Sequence, residues 1–254
     1  MTITTDAAHE TSSAVHFSAR ALRLPIVAES FERLAEQARE ETWTHEQYLA
    51  AVLDRQVSAR ESAAVSSRLR TARFPSVKTL EEFNFDYQRS VKRDLIAHLA
   101  TGAYVSKAEN VILLGPPGTG KTHLAIALGR KAAEQGHRVV FQAATGWLAR
   151  LQAAHDADVL TEELHKLRRY PLLIIDEIGY IPFDADAANL FFQLVASRYE
   201  QASLIITSNM PFGRWGEVFS DDVVAGAMID RLVHHCEVIN LKGDSYRVRN
   251  KRLK

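Results

Sequence analysis

From residue 110 onward the chain carries five short apolar runs, at residues 110–114 (NVILL), 138–142 (RVVFQ), 172–176 (LLIID), 203–208 (SLIITS) and 236–241 (CEVINL). Four of the five are unbroken rather than alternating, the pattern of strands covered on both faces. Residues 123–135, 146–168, 185–201 and 223–233 lie between them and are long enough for crossover helices. Strand and helix in alternation predict a five-stranded parallel sheet in a three-layer α/β domain.

Upstream the rhythm is helical. Leu22, Leu24, Phe31, Leu34 and Ala38, then Trp43, Tyr48, Leu49, Val52, Leu53 and Val57, keep spacings close to one helical face, interrupted only at Pro25. Residues 44–47 (THEQ) have the form of a capping box, with Thr44 capping and Gln47 reaching back, so a new helix is expected to begin there. Residues 17–70 therefore predict a small helical domain, and the polar residues 1–16 are expected to be disordered. Residues 71–89 (TARFPSVKTLEEFNFDYQR) break the rhythm with a proline and mark a boundary or strap before the α/β domain, which takes residues 71–254.

The 254 residues suffice for one to two domains. A single cysteine, Cys236, excludes an internal disulfide. The opening residues lack an apolar core, and no run approaches the roughly 18 apolar residues of a membrane helix, so a cytoplasmic protein with no membrane partner is expected. The 31 basic and 31 acidic residues cancel, but unevenly. Between Arg55 and Lys78 stand Arg60, Arg68, Arg70 and Arg73 with only Glu61 against them, and the tail carries Lys242, Arg247, Arg249, Lys251, Arg252 and Lys254 against Asp244. With Lys166, Arg168 and Arg169, these patches suit the phosphates of nucleic acid. No recognition-helix motif accompanies them, so contact to the backbone of double-stranded DNA is expected, with little sequence preference and a steep salt dependence.

The sharpest chemistry is GPPGTGKT, residues 115–122, at the end of a predicted strand and the start of a predicted helix. Gly115, Pro116, Pro117, Gly118, Thr119 and Gly120 would turn backbone N–H groups inward around the phosphates of ATP. Lys121 would reach the β- and γ-phosphates, the Thr122 hydroxyl would ligate Mg2+, and His123 follows directly within the same nucleotide-binding set. In LLIIDEIG, four apolar residues deliver Asp176 and Glu177 to the C-terminal edge of a buried strand, where ligands of such sheets bind. Asp176 suits the magnesium shell and Glu177 suits a base for water, which favours ATP hydrolysis over transfer to a small metabolite. Asn209 ends the run LIITSN. If its strand lies between the two motif-bearing strands, its amide would reach both the attacking water and the γ-phosphate; the other reading is a turn Asn before Pro211. His234, His235, Cys236 and Glu237 have ligand chemistry, but neighbours on a strand face opposite ways and no second cluster is evident in the sequence.

Seven stretches taken together are more selective than the phosphate loop alone: LRLP (22–25), ARFPSVKTLEEFNF (72–85), GPPGTGKTHLAIALG (115–129), LLIIDEIGYIPFD (172–184), SLIITSNMPFGRW (203–215), IDRLVHH (229–235) and GDSYRVR (243–249). In these the chain resembles the AAA+ ATPases, specifically the IstB-like helper ATPases of insertion-sequence transposition, with DnaC-type helicase loaders as near relatives. The resemblance implies an ATPase that forms homo-oligomers with composite ATP sites on target DNA and recruits or activates the transposase encoded alongside it, hydrolysis then dismantling the assembly. A replicative helicase loader is the alternative it leaves open, and a non-catalytic DNA scaffold is disfavoured by Glu177. The resemblance also implies roles that spacing does not: Arg231 as the finger inserted into a neighbour's site, with Arg214 competing for that role, and Arg247 as a sensor acting in cis. Phe83, Phe85 and Tyr87 either wall the adenine or pack the core.

Overall fold

The computed structural model describes residues 3–180, 182–246 and 248. They fall into two compact units, Met1–Ser66 and Ser67–Lys254.

In the first unit, α1 (Ile3–Ala21), α2 (Pro25–Glu40) and most of α3 (His45–Thr71) surround a core of Ala19, Val27, Phe31, Leu34 and Val52. Each helix start has a local cause. Pro25 opens α2, where its missing N–H costs nothing. The next two donors are met from α3, with Gln56 Oε1 accepting from the Ile26 and Val27 N–H groups at 3.1 and 3.4 Å. At α3 the capping box is reciprocal: Thr44 N–H donates to Gln47 Oε1 at 2.8 Å, and Gln47 N–H donates to Thr44 Oγ1 at 3.2 Å. The polar opening of the chain, expected to be disordered over residues 1–16, is helical in α1 from Ile3 on. Among the described side chains of that helix, Val15 and Ala19 join the core, too sparse a stripe to stand out in the sequence.

The second unit holds a five-stranded parallel sheet in the order β2-β3-β4-β1-β5. The strands are β1 (Asn110–Leu114), β2 (Val139–Ala143), β3 (Leu172–Ile178), β4 (Ser203–Ser208) and β5 (Cys236–Asn240). Alternate residues feed two separate cores. Val111, Leu113, Leu172, Ile174 and Ile205 pack with α4 (Arg93–Ala100), α5 (Ala103–Ser106) and α6 (Lys121–Glu134). Ile112, Leu173, Ile175, Leu204 and Ile206 pack with α7 (Ala144–Asp156), α8 (Leu160–Arg168), α9 (Ala185–Arg198), α10 (Trp215–Phe219) and α11 (Asp222–Val233). This double coverage is the reason the runs are apolar at successive positions.

Three features depart from the sequence pattern. The helix expected over 146–168 is broken into α7 and α8, with Asp158 at φ +56° between them. β3 continues two residues past its apolar run, with a register irregularity between Ile175 and Ile178 against β4. The short α4, α5 and α10 have no clear counterpart in the periodicity. Among the described residues, no helix is long and apolar enough to cross a membrane.

Candidate functional site

β1 ends at Leu114 and α6 starts at Lys121, so residues 115–120 form a loop at the C-terminal edge of the sheet. Gly118 and Gly120 adopt φ +79° and +103°, values that L side chains rarely take. A Cβ on Gly120 would stand 2.7 Å from the Phe83 ring, and one on Gly118 would collide with Ser245. The loop thus fits between an upstream aromatic and the chain's C-terminal segment. Lys121 is buried and its Nζ donates to the Gly115 and Pro116 carbonyls at 2.7 and 2.9 Å. Thr119 Oγ1 also donates to Pro116 O, at 2.8 Å, while Pro117 is exposed. The His123 Nε2 lies 2.7 Å from Thr79 O, with its ring edge-on to Phe83.

The acidic pair arrives on the same edge. Asp176 is buried; Thr122 Oγ1 lies within hydrogen-bond distance of both its carboxylate oxygens, at 3.0 and 3.1 Å. Hydroxyl and carboxylate oxygens are the donors that hard divalent cations take. Thr207, on β4, donates to Asp176 Oδ1 at 2.6 Å and accepts from Glu177 N–H at 2.9 Å. Glu177 itself sits at φ +66°, where the β3 irregularity turns its exposed side chain into the cleft. β4 does lie between β1 and β3, which brings Asn209, just past its end, to the same edge. Asn209 Oδ1 is buried and has no hydrogen-bond partner among the described residues.

Residues 118–123, Glu177 and Thr207 border a cleft of about 480 Å³, with Asp176 buried behind Thr122 and Thr207. Its other wall is residues 76–88 of the strap and Tyr246. Gln88 Nε2 donates to Thr119 O at 3.0 Å, Tyr87 OH to Asp244 O at 3.1 Å, and Tyr246 N–H to Gly118 O at 3.0 Å. Tyr87 and Tyr246 stand edge to face, 5.0 Å between centroids. Of the three aromatics weighed for the adenine, Phe83 packs into the core and also lines the cleft, Phe85 lies under the Arg93 guanidinium, and Tyr87 lines the cleft.

Thr207, Gln88 and Tyr246 were not singled out in the sequence. Thr207 stands two residues before Asn209 in LIITSN, the one local hint of its place. Arg231 does not line the cleft: half-buried on α11, it lies 4.8 Å over the Phe192 ring of α9 and donates to Ala227 O at 2.9 Å. Arg214 is held bidentate by Glu217 at 2.8 and 2.6 Å. Arg247, with Arg249 and residues 250–254 of the basic tail, lies outside the described residues. Within the upstream basic stretch, Arg68 donates to Ala133 O at the end of α6 and Lys78 faces the cleft, so these two cations have partners or places within the chain.

Comparison with known proteins gives a consistent result. The model of a family described as IstB-like ATP binding protein matches residues 17–254. A Pseudomonas aeruginosa protein named for insertion sequence IS21 and for ATP binding is 46% identical over 231 residues, covering 91% of this chain and 87% of that protein. A Geobacillus stearothermophilus protein named for insertion sequence IS5376 and for ATP binding is 38% identical over 239 residues, covering 94% and 95%. Among solved structures, the DnaC helicase loader aligns with a TM-score of 0.53 at 20% identity, covering 69% of this chain and 99% of that one. AMPPCP-bound DnaA from Aquifex aeolicus aligns with a TM-score of 0.54 at 20% identity, covering 71% and 56%. These two likenesses establish a shared AAA+ fold.

Proposed function

This chain belongs to the family of IstB-like ATP-binding proteins, and from that premise we propose that it is an ATP-hydrolysing regulator of transposition. It assembles with ATP as a homo-oligomer on target double-stranded DNA and recruits or activates the transposase of its insertion sequence, all in the cytoplasm. Hydrolysis then dismantles the assembly. Likeness to DnaC is one of fold at 20% identity, whereas the insertion-sequence relatives reach 46%, which favours the transposition reading over helicase loading.

The observation that carries the reading is the junction at Asp176, where the phosphate loop, β3 and β4 meet through the hydroxyls of Thr122 and Thr207. Around it each group has a task that its position suits. The N–H groups of residues 115–120 and the N-terminus of α6 hold the phosphates. Lys121, now donating to two loop carbonyls, is near enough to turn its ammonium to the β- and γ-oxygens. Thr122 and Asp176 would hold a magnesium ion, which when bound supplies positive charge against the phosphates. Glu177 takes the proton of the attacking water, and the Asn209 amide oxygen, without a hydrogen-bond partner among the described residues, orients that water. Arg231 serves a neighbouring subunit in trans, and Arg247 acts in cis on the γ-phosphate.

The test is phosphate release with and without duplex DNA, together with sedimentation in Mg2+, ATP and duplex. DNA-stimulated turnover that Glu177→Gln abolishes, with ATP-dependent assembly on DNA retained, supports the proposal. Equal, near-zero turnover in both forms, or a monomer in every mixture, overturns it.

A further inference from the structure

The nucleotide cleft lies where the strands end; a second cluster lies where β4 and β5 begin. Glu200, His234 and His235 each present one ligand atom there, all within 4.8 Å of one another. Glu200 Oε1 is 3.5 Å from His234 Nδ1 and 3.8 Å from His235 Nε2, and the two imidazole centroids are 4.3 Å apart.

The sequence argued against this site on the ground that adjacent histidines of a strand diverge. They are not on the strand. His234 keeps helical angles at the end of α11 (φ −52°, ψ −44°), His235 completes the turn, and β5 begins only at Cys236. Across this turn the two rings do not diverge as they would along a strand, and their centroids lie 4.3 Å apart. The third ligand comes from a distant stretch, Glu200 after α9, at φ +56°. Cys236 and Glu237 are not in the cluster.

We propose that Glu200, His234 and His235 form a binding site for a divalent transition cation of the zinc class, with the fourth position open to water. Two imidazole nitrogens and one carboxylate oxygen are a known zinc donor set with an open position, and imidazole selects against magnesium and calcium. Ligands at about 2.0–2.2 Å from a tetrahedral ion stand roughly 3.3–3.6 Å apart. The present separations reach that by side-chain rotation, since all three side chains are about half exposed. One contact must yield: the Tyr199 hydroxyl shares a 2.7 Å hydrogen bond with His234 Nδ1, and an ion on that nitrogen displaces it. Occupancy clips the end of α9 to the end of α11, the same two helices that Arg231 joins through Phe192.

The experiment is calorimetric titration of the untagged full chain with Zn2+ in saturating Mg2+, paired with the visible spectrum of the Co2+ form. The expected result is one saturable equivalent with tetrahedral-type Co2+ bands. Affinity falls by at least about tenfold in Glu200→Ala and His235→Ala. Tyr199→Phe, which removes the competing hydroxyl, binds at least as tightly as wild type. Zn2+ raises the melting temperature of wild type and not of the two alanine variants. Equal zinc affinity in wild type and both alanine variants, or no saturable binding in wild type, overturns the proposal and leaves a pair of histidines sharing a carboxylate. Neither nucleotide nor DNA enters the assay, so its outcome is independent of the ATPase reading.

Discussion

Thr207 ties together the two carboxylates to which the proposed chemistry is assigned. Its hydroxyl donates to Asp176 and accepts from the N–H of Glu177, so one oxygen fixes both a buried carboxylate and the left-handed backbone that aims the next residue. Thr207→Val keeps the shape and removes the hydroxyl. Steady-state ATP hydrolysis is expected to fall about 10- to 100-fold, with a higher Mg2+ requirement and an unchanged circular dichroism spectrum. Asp176 and Glu177 were legible in the sequence because a buried run delivers them directly to the sheet edge. Thr207 was not, because its partners lie about thirty positions upstream and only the pairing of β3 with β4 brings them together. At Cys236 burial pushes the thiol up to about 12. The reactive thiolate is therefore scarce at pH 8 in the folded chain, and iodoacetamide should label Cys236 slowly until denaturant exposes it; labelling equally fast in both states would contradict the burial.

Between elements, the joint that periodicity could not reveal is Arg198, the last residue of α9. Its buried guanidinium donates to Leu167 O at 3.0 Å, Tyr170 O at 2.9 Å and Ser203 O at 2.9 Å, fastening the end of α8, the approach to β3 and the start of β4. Burial pulls its pKa down to about 9, which leaves it charged at neutral pH. Arg198→Met fills much of the space but strands those carbonyls, and urea unfolding should show a loss of about 3 kcal/mol or more. A long basic residue in a helical stretch reads as a solvated face, so nothing local distinguished it. The strands were legible for the opposite reason: alternate residues feed two cores, and the pattern survives without any knowledge of strand order. The helix start at α3 was equally local, because both halves of the Thr44–Gln47 exchange lie within four residues. Thr44→Ala should cost about 1 kcal/mol, read as a lower unfolding midpoint of the N-terminal unit. The break between α7 and α8 stayed hidden because Asp158 takes φ +56° where neither glycine nor proline announces a turn.

For the proposed assembly, the decisive question is whether Arg231 serves as a finger for a neighbouring copy. Lys121, Thr122, Asp176, Glu177 and Asn209 share one sheet edge, whereas Arg231 lies over Phe192 and does not line that cleft. A site completed by a neighbouring copy makes a head-to-tail contact, in which every subunit both lends and receives. Two inactive variants should then repair each other. Lys121→Ala lacks its own site but still lends Arg231, while Arg231→Gln keeps its site and lends nothing. Mixed in equal amounts on duplex DNA with ATP, random neighbours give a competent junction in about a quarter of cases, so phosphate release should recover to roughly a quarter of the wild-type rate per chain. Each variant alone should fall by orders of magnitude, as loss of an arginine finger does. If the mixture merely averages the two separate rates, Arg231 acts within its own chain, and its contact with Phe192 is then its whole role. A thermal melt of Arg231→Gln distinguishes the cases: loss of trans action leaves the melt near that of wild type, whereas loss of a joint between α9 and α11 lowers it.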